Sequence, residues 1–457
     1  MDIKDIRKKD FVCQLPEDFI ESLPEGVGIY AVGGSVRDAY VPGLTARELD
    51  LLLTCISQKD LMPILKAHGK ARLVGRSFSV IKWSPSECEP VDVSLPAVRD
   101  LALLNGCSID PNFPLEKDLA QRDFTINAMA YDLRDDVLID PFGGRNDLAE
   151  GVLRAVSENS LNADAIRCIR ATYVCARCEL SPDEATIGMI KSAVPKLADV
   201  APERIGEELK KLLVHLPAPS KALRLWQKWG ILDIVLPELA EGAGIVQEGG
   251  WHAHDVFEHG LHAVDSAIPD FEVRLAALLH DIGKPRRKRY DKERAKATFY
   301  GHQNVSEKMA VRIMKRLKYS NETIDRVSRM VRFHMFMRCQ TDKGVRRFIR
   351  NVGEDLIDSL FELRYADVEA QGTNRDDSDD RKYHAYIRKI LDEKPPLSVT
   401  DLAINGQDVM ELLGISEGVT VGKVLNFLLE RVIDDPSLNT RESLLELIRA
   451  YFRKKDL

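Results

Sequence analysis

The sequence has no long apolar run. Its longest, such as Leu275–Leu279, fall far short of the ~18–20 residues that a membrane-spanning helix needs. The opening residues, MDIKDIRKKD, lack the apolar core of a secretory signal. The cysteines lack framework spacing. Cys13, Cys55, Cys88, Cys107, Cys168, Cys175, Cys178 and Cys339 are scattered, which excludes a disulfide-stapled miniature and points to reduced thiols in a cytoplasmic protein. A basic excess is missing as well. The 65 basic and 72 acidic residues give a net charge of −7, which argues against non-specific coating of nucleic acid but permits a local basic patch. There is no internal repeat and no low-complexity segment. What is present is an ordinary globular composition, 44% hydrophobic and 30% charged over 457 residues, enough for roughly three domains.

Residues 28–92 read as mixed α/β. Short apolar runs at Ile29–Val32, Leu49–Leu53, Val80–Trp83 and Val91–Val93 predict strands. Gly33-Gly34 precedes a helix start at Ser35–Ala39, with Ser35 near the cap. From about residue 145 the pattern is helical. Val305, Met309, Ile313, Met314 and Leu317 share one face at a 3.6-residue period. The polar stretch GTNRDDSDDR, residues 372–381, predicts a loop.

Three features lie close together in the first part of the chain. Gly33-Gly34-Ser35 opens a helix, Glu48 and Asp50 lie two residues apart on one strand, and Asp92 lies on a later strand. Side chains at i and i+2 share a sheet face, so Glu48 and Asp50 can hold a divalent metal, with Asp92 joining from a neighbour. Oxygen ligands of this kind suit Mg2+, which also takes substrate phosphates. The glycine pair lets backbone amides approach a triphosphate at a helix N-terminus.

The segments YAVGGSVRD at 30–38 and RELDLLL at 47–53 resemble the class II tRNA nucleotidyltransferase and bacterial poly(A) polymerase family. Further similar segments follow in the family's order: VGRSFSVIKW at 74–83, VDVSLP at 91–96, QRDFTINAMAYD at 121–132, LIDPFGGRNDLAEGVLRAV at 138–156, DAIRCIRA at 164–171 and PERIGEELKKLL at 202–213. The resemblance implies that Glu48 and Asp50, with Asp92 in support, bind Mg2+. It implies that Gly33, Gly34, Ser35 and Arg37 face the triphosphate. Arg122, Asp123 and Asn127 would hold ribose and phosphates, and Asp164 and Arg167, with Arg170 nearby, would select the base. Three positions depart from the family pattern. Glu48 replaces an aspartate, Gln121 an arginine and Ala163 a glutamate.

Seven of the ten histidines fall between His252 and His334. His259, His280-Asp281, His302 and His334, with Asp367 beyond, form a second candidate set. Histidine with aspartate suits several divalent metals, and helices can project such ligands to one centre. LAALLHDIGK at 275–284, FEHGLHAV at 257–264, YGHQNVS at 300–306 and YADVEAQG at 365–372 resemble the HD phosphohydrolase superfamily. That resemblance implies ligands at His259, His280, Asp281 and Asp367, joined by His302 and His334. The metal would be Ni2+, Mn2+, Co2+ or Fe2+, serving phosphodiesterase or phosphatase chemistry. Lys284 reads equally as a ligand for substrate phosphate or as an ordinary solvated lysine.

Other features read as ordinary structure. His252, His254 and His262 are set aside, as is the Cys175–Cys178 pair, which has no second pair at zinc-ribbon distance. Trp226 and Trp229 read as helix packing. The basic run 284–296 reads equally as a solvated loop or a phosphate-steering patch.

These readings predict an α+β protein: a nucleotidyltransferase head at 1–150, a helical neck and body at 151–245, an HD domain at 246–375 and a helical region at 376–457. The expected activity is template-independent addition of CTP- and ATP-derived nucleotides to the tRNA 3′ end, completing or repairing CCA. Two alternatives stay open: a metal-dependent phosphohydrolase with a head that only binds, and a non-catalytic tRNA-binding protein.

Overall fold

The computed structural model describes residues 3–44, 49–74, 80–100, 106–247, 253–292, 296–372 and 376–453. Glu48 and His252 lie outside them. The fold is α+β, with a mixed sheet near the N-terminus and helices through most of the remainder. Contacts group the chain into two compact units, Met1–Glu208 with Lys221–Val235, and Leu209–Ser220 with Leu236–Leu457.

The first unit is built on seven strands: β1 (Gly28–Val32), β2 (Leu49–Thr54), β3 (Gly69–Val74), β4 (Val80–Pro85), β5 (Val91–Ser94), β6 (Ala130–Asp132) and β7 (Val137–Ile139). Their order across the sheet is β3-β4-β5-β2-β1-β6-β7. Among the described residues of this sheet, only the β2–β5 pair is parallel. Alternation fixes which side chains face inward. Val91 and Val93 are buried while Asp92 and Ser94 are only partly covered, as period-2 geometry requires. In β2 the leucines are buried and Asp50 is partly open. Trp83 is fully buried, and its indole N–H donates to the Leu65 carbonyl at 2.9 Å, so its one polar atom is satisfied.

Helix α1 (Gly34–Tyr40) follows β1 directly. Gly33 is its N-cap, with φ +70° and ψ −130°, a conformation that only glycine adopts cheaply. Ser35 lies inside the helix, and its hydroxyl donates back to the Val32 carbonyl at 2.8 Å. Helix α2 (Ile166–Cys178) is nearly all buried. Burial pushes the Cys175 thiol up to about 12, so it stays protonated packing material. Trp226 is also fully buried, donating to Thr172 Oγ1 at 2.9 Å.

The second unit is helical. The C-terminal part of α3 (Pro202–His215) belongs to it. Then come α4 (Val256–Ser266), α5 (Phe271–Leu279), α6 (His302–Arg316), α7 (Asn321–Phe333), α8 (Ile357–Ala370) and α9 (Ser378–Asp392). Met309, Ile313, Met314 and Leu317 are buried on α6 and at its C-cap, with Val305 partly covered. Gly283 allows α6 to approach closely: a Cβ there would lie 2.7 Å from the His302 carbonyl oxygen and from the Ser306 nitrogen. A separate apolar cluster, including Val409, Leu428, Val432, Leu444 and Ile448, organises the last helices.

Two local expectations change. Residues 376–377 precede a helix that starts at Ser378, so the end of the polar stretch 372–381 is helical and not loop. Asp379 and Asp380 sit in its first turn, where acidic side chains favour the helix dipole. Residues 373–375 lie outside the described residues. The described part of the basic run is also structured: Lys284–Arg287 is a short helix, and Arg289–Asp291 pairs antiparallel with Lys296–Thr298. No helix among the described residues is long and apolar enough to cross a membrane.

Candidate functional site

In the sheet, Asp50 on β2 stands opposite Asp92 on β5. Directly paired residues point to the same face, so these carboxylates share it. Asp92 also meets Lys82 Nζ on β4 at 2.7 Å. Gly33 marks where three parts meet: a Cβ added there would lie 2.9 Å from Arg122 Nη1 and 3.7 Å from Asp50 Oδ2. A carboxylate and a guanidinium thus converge on a backbone turn that tolerates no side chain.

Arg37 is placed differently from a triphosphate-facing residue. Its guanidinium is buried, donating to Asp38 Oδ1 at 2.6 and 2.8 Å and to Asn127 Oδ1 at 2.7 Å. Arg177 holds the other Asp38 oxygen at 2.7 and 2.9 Å. This network braces α1 from below. Asn127 in turn donates to Asp123 Oδ1 at 2.9 Å, and so does the Phe124 N–H. Burial raises the Asp123 pKa, but Arg170, Asn127, Arg167 and the Phe124 amide outweigh it and hold the carboxyl below its usual range. Arg170 also donates to Glu208 at 2.6 Å.

Beside this turn lies a cavity of about 370 Å³, lined by Gln121, Arg122, Asp164, Arg167 and Arg204 among others. Gln121 reaches back to the Ala97 carbonyl at 3.1 Å. Arg204, Lys82 and Asp118 (3.5 Å from Arg122 Nη2) were not picked out individually in the sequence. The pairings of Arg204 and Lys82 join separate segments, for which spacing carries no signal, whereas Asp118 lies four residues before Arg122, a spacing that could have flagged it.

The second unit gathers His259 from α4, His280-Asp281 after α5, His302 opening α6, His334 ending α7 and Asp367 from α8. All six are buried. His259 Nε2 lies 3.1 Å from Asp367 Oδ1, His280 Nε2 3.2 Å from Asp281 Oδ2, and His302 Nε2 3.0 Å from Asp281 Oδ1. His302 and His334 face each other, Nε2 to Nε2, at 3.3 Å. Two overlapping groups, His259/His280/Asp367 and His280/Asp281/His334, each place their ligand atoms within 4.8 Å of one another.

The tautomers make this set coherent. Each Nδ1 faces a backbone carbonyl: His259 that of Ala370 at 3.3 Å, His280 that of Ala277 at 2.7 Å, His302 that of Phe299 at 3.0 Å and His334 that of Val331 at 2.7 Å. A carbonyl only accepts, so Nδ1 carries a proton in each ring and Nε2 is the nitrogen turned inward to ligate. Burial opposes a second proton on His280, but Asp281 outweighs it and raises that pKa, so His280 is the ring that most readily also holds a proton at Nε2. Lone pairs and carboxylate oxygens this close need cationic charge between them. Burial, and then His280, pushes His334 down to about 3, keeping it neutral and able to ligate. Burial opposes ionisation of Asp281, yet His280 and Lys284 hold it well below the ordinary carboxylate range. The donor set therefore fits a divalent cation.

Lys284 is buried. It lies 2.5 Å from Asp281 Oδ2 and donates to Gln247 at 2.6 Å. Arg364 contacts the outer oxygen of Asp367 at 3.5 Å. It sits three residues before Asp367, a spacing that places both on one helix face and could have flagged it. A cavity of about 670 Å³ opens here, with Lys284, Lys296, His302, His334 and Arg364 on its walls.

A mixed sheet that brings a glycine turn, a carboxylate and a guanidinium together beside a cavity has the elements of a nucleotide-handling head. Comparison with known proteins gives the relationship. Residues 29–154 match the model for the poly A polymerase head domain, 179–242 that for "Probable RNA and SrmB- binding site of polymerase A", and 288–448 that for tRNA nucleotidyltransferase domain 2. An A-adding tRNA nucleotidyltransferase of Deinococcus radiodurans is 36% identical over 88% of this chain and 91% of its own. A CC-adding tRNA nucleotidyltransferase of Thermus thermophilus is 33% identical over 88% of each. The crystal structure of the Bacillus stearothermophilus CCA-adding enzyme in complex with CTP shares the fold, with TM-score 0.66 and 21% identity, over 96% of this chain and 98% of that one. The chain belongs to the tRNA nucleotidyltransferase family.

Proposed function

We propose that the head transfers nucleotides from CTP or ATP to the 3′ end of tRNA, completing or repairing CCA. The convergence of Asp50 and Arg122 on Gly33 carries this reading. Arg122 would bind phosphate oxygens, and the α1 N-terminus would add its amides. Asp50 and Asp92 are oxygen donors on one face and fit Mg2+, with Glu48 as the further carboxylate expected from the sequence. When bound, Mg2+ would make the 3′ hydroxyl a better nucleophile and offset charge on the departing pyrophosphate. The 3′ oxygen forms a bond to the α-phosphorus as the bond to the β-phosphate oxygen breaks. Its proton passes to solvent.

Family membership favours transfer over a head that only binds and over a non-catalytic tRNA-binding protein. The two relatives matched along most of their length bear names that divide the task, A-adding and CC-adding. The test is therefore run with tRNA shortened by one nucleotide and by three, with CTP alone, ATP alone and both. Lengthening on a denaturing gel is expected with at least one nucleotide. No lengthening with any combination rejects the reading.

The six inward-facing ligands support a second activity, metal-dependent phosphohydrolysis by the 246–375 region on the HD pattern. His259, His280, Asp281, His302, His334 and Asp367 would hold a divalent transition metal. When bound, the metal would polarise a phosphoryl oxygen and acidify water. Lys284 and Arg364 would orient the phosphate. Metal analysis of the purified protein is expected to find divalent transition metal, and much less in His280→Ala. Equal metal in both would reject the site.

A further inference from the structure

The outer strands of the sheet carry charge of one sign. β3 reads GKARLV and β4 reads VIKWSP, so Lys70, Arg72 and Lys82 stand there with no carboxylate. Arg72 pairs across with Lys82, Lys82 with Asp92 on β5, and Asp92 with Asp50 on β2. Directly paired residues share a face, and so does Lys70, two residues before Arg72. The opposite face is closed. Ile81 and Trp83 are buried on it, and Trp83 bonds to Leu65 in the helix Gln58–Ala67. Lys70 and Arg72 are exposed, and the Lys82 side chain is 42% exposed. One face of the sheet thus runs from two carboxylates to cations at the edge, at about 5 Å per strand.

Lys82 Nζ lies 2.7 Å from each oxygen of Asp92. An ammonium carries three N–H donors, so Lys82 can serve Asp92 and an anion beside it together. Charge on an edge strand also discourages pairing with other chains, but Lys82 lies one strand in and touches the carboxylate row. The geometry of phosphoryl transfer selects the anion. Attacking and departing oxygens lie roughly in line through the α-phosphorus. The triphosphate is placed at the Gly33 turn, on the β1 side of Asp50. The strand that brings the attacking hydroxyl therefore comes from the other side, over β5 and β4.

We propose that the open face of β3 and β4 seats the last phosphodiesters of the tRNA 3′ strand, with Lys82 on the terminal one and Arg72 and Lys70 on those behind it. This rests on the nucleotidyl-transfer reading and gives the acceptor its side of entry.

The test measures tRNA binding to the full chain across a salt series for wild type, Lys82→Ala, Lys82→Arg and Arg72→Ala, with CTP binding and transfer alongside. A second tRNA carries a neutral methylphosphonate in place of its last phosphodiester. The wild type should bind this tRNA about tenfold more weakly than the natural one. Lys82→Ala should bind natural tRNA about tenfold more weakly and lose most of the difference between the two, because the contact is already gone. Lys82→Arg should restore that difference. Lys82→Ala and Arg72→Ala should each flatten the salt dependence, while CTP affinity holds. The same difference in wild type and Lys82→Ala, or a loss of CTP affinity as large as that of tRNA, would overturn the proposal. The expected pattern without transfer in the wild type would reject the transfer reading and leave this surface standing. Transfer by a wild type that does not distinguish the two tRNAs would reject the surface alone.

Discussion

At the scale of single residues, the head depends on charges held in fixed positions by charged and polar neighbours. Asp50 is the clearest case, because its carboxylate points to the turn where no side chain fits. Asp50→Ala is expected to lower transfer by about 10²-fold or more while CTP binding persists, because carboxylates that hold metal act chiefly on the transition state. Parallel rate and calorimetric measurements would check this, and undiminished transfer would count against it. Asp123 makes a different prediction. Its folded-state pKa lies below the unfolded value, so its stabilisation is present above the unfolded pKa of about 3.9 and is lost as pH falls through the folded one. Asp123→Asn should therefore cost roughly 1–2 kcal/mol near neutral pH, and the gap from wild type should close below about pH 3.9. Thermal melts across that range would show it.

At the scale of elements, buried arginines satisfy the ends of helices. Arg274 on α5 is buried and donates to the carbonyls of Leu213 at 2.6 Å, Leu216 at 2.8 Å and Ala267 at 3.1 Å. Burial lowers its pKa, with Asp265 opposing. Arg274→Met would fill similar space but leave three buried carbonyls without that donor, at a cost of about 3 kcal/mol. A denaturant midpoint within error of wild type would contradict this account of α5. Elements are also where the sequence was most and least legible. The strands around Asp50 and Asp92 show in the short apolar runs Leu49–Leu53 and Val91–Val93. The α6 face shows in its 3.6-residue period. The helix start at Ser378 was hidden, because the residues that favour a helix N-terminus are the polar ones that also mark loops. Arg204 and Asp164 are 40 residues apart, and only the fold brings them together. The histidine ligands were visible as a cluster, but their common tautomer depends on four backbone carbonyls that no spacing reveals.

At the scale of the whole molecule, the two sets of functional groups lie in different compact units. Asp50, Arg122 and Asp164 belong to the first, and the six metal-type ligands to the second. His280→Ala should then abolish the proposed phosphohydrolysis and spare transfer, and Asp50→Ala should do the reverse. Loss of both activities from either variant would show that the two sites do not act independently.

The most direct test of the central claim counts pyrophosphate against nucleotide joined to tRNA. In the wild type one pyrophosphate should appear for each nucleotide added, and Asp50→Ala should suppress both together. Pyrophosphate release without tRNA extension, or extension that survives the loss of Asp50, would contradict the account.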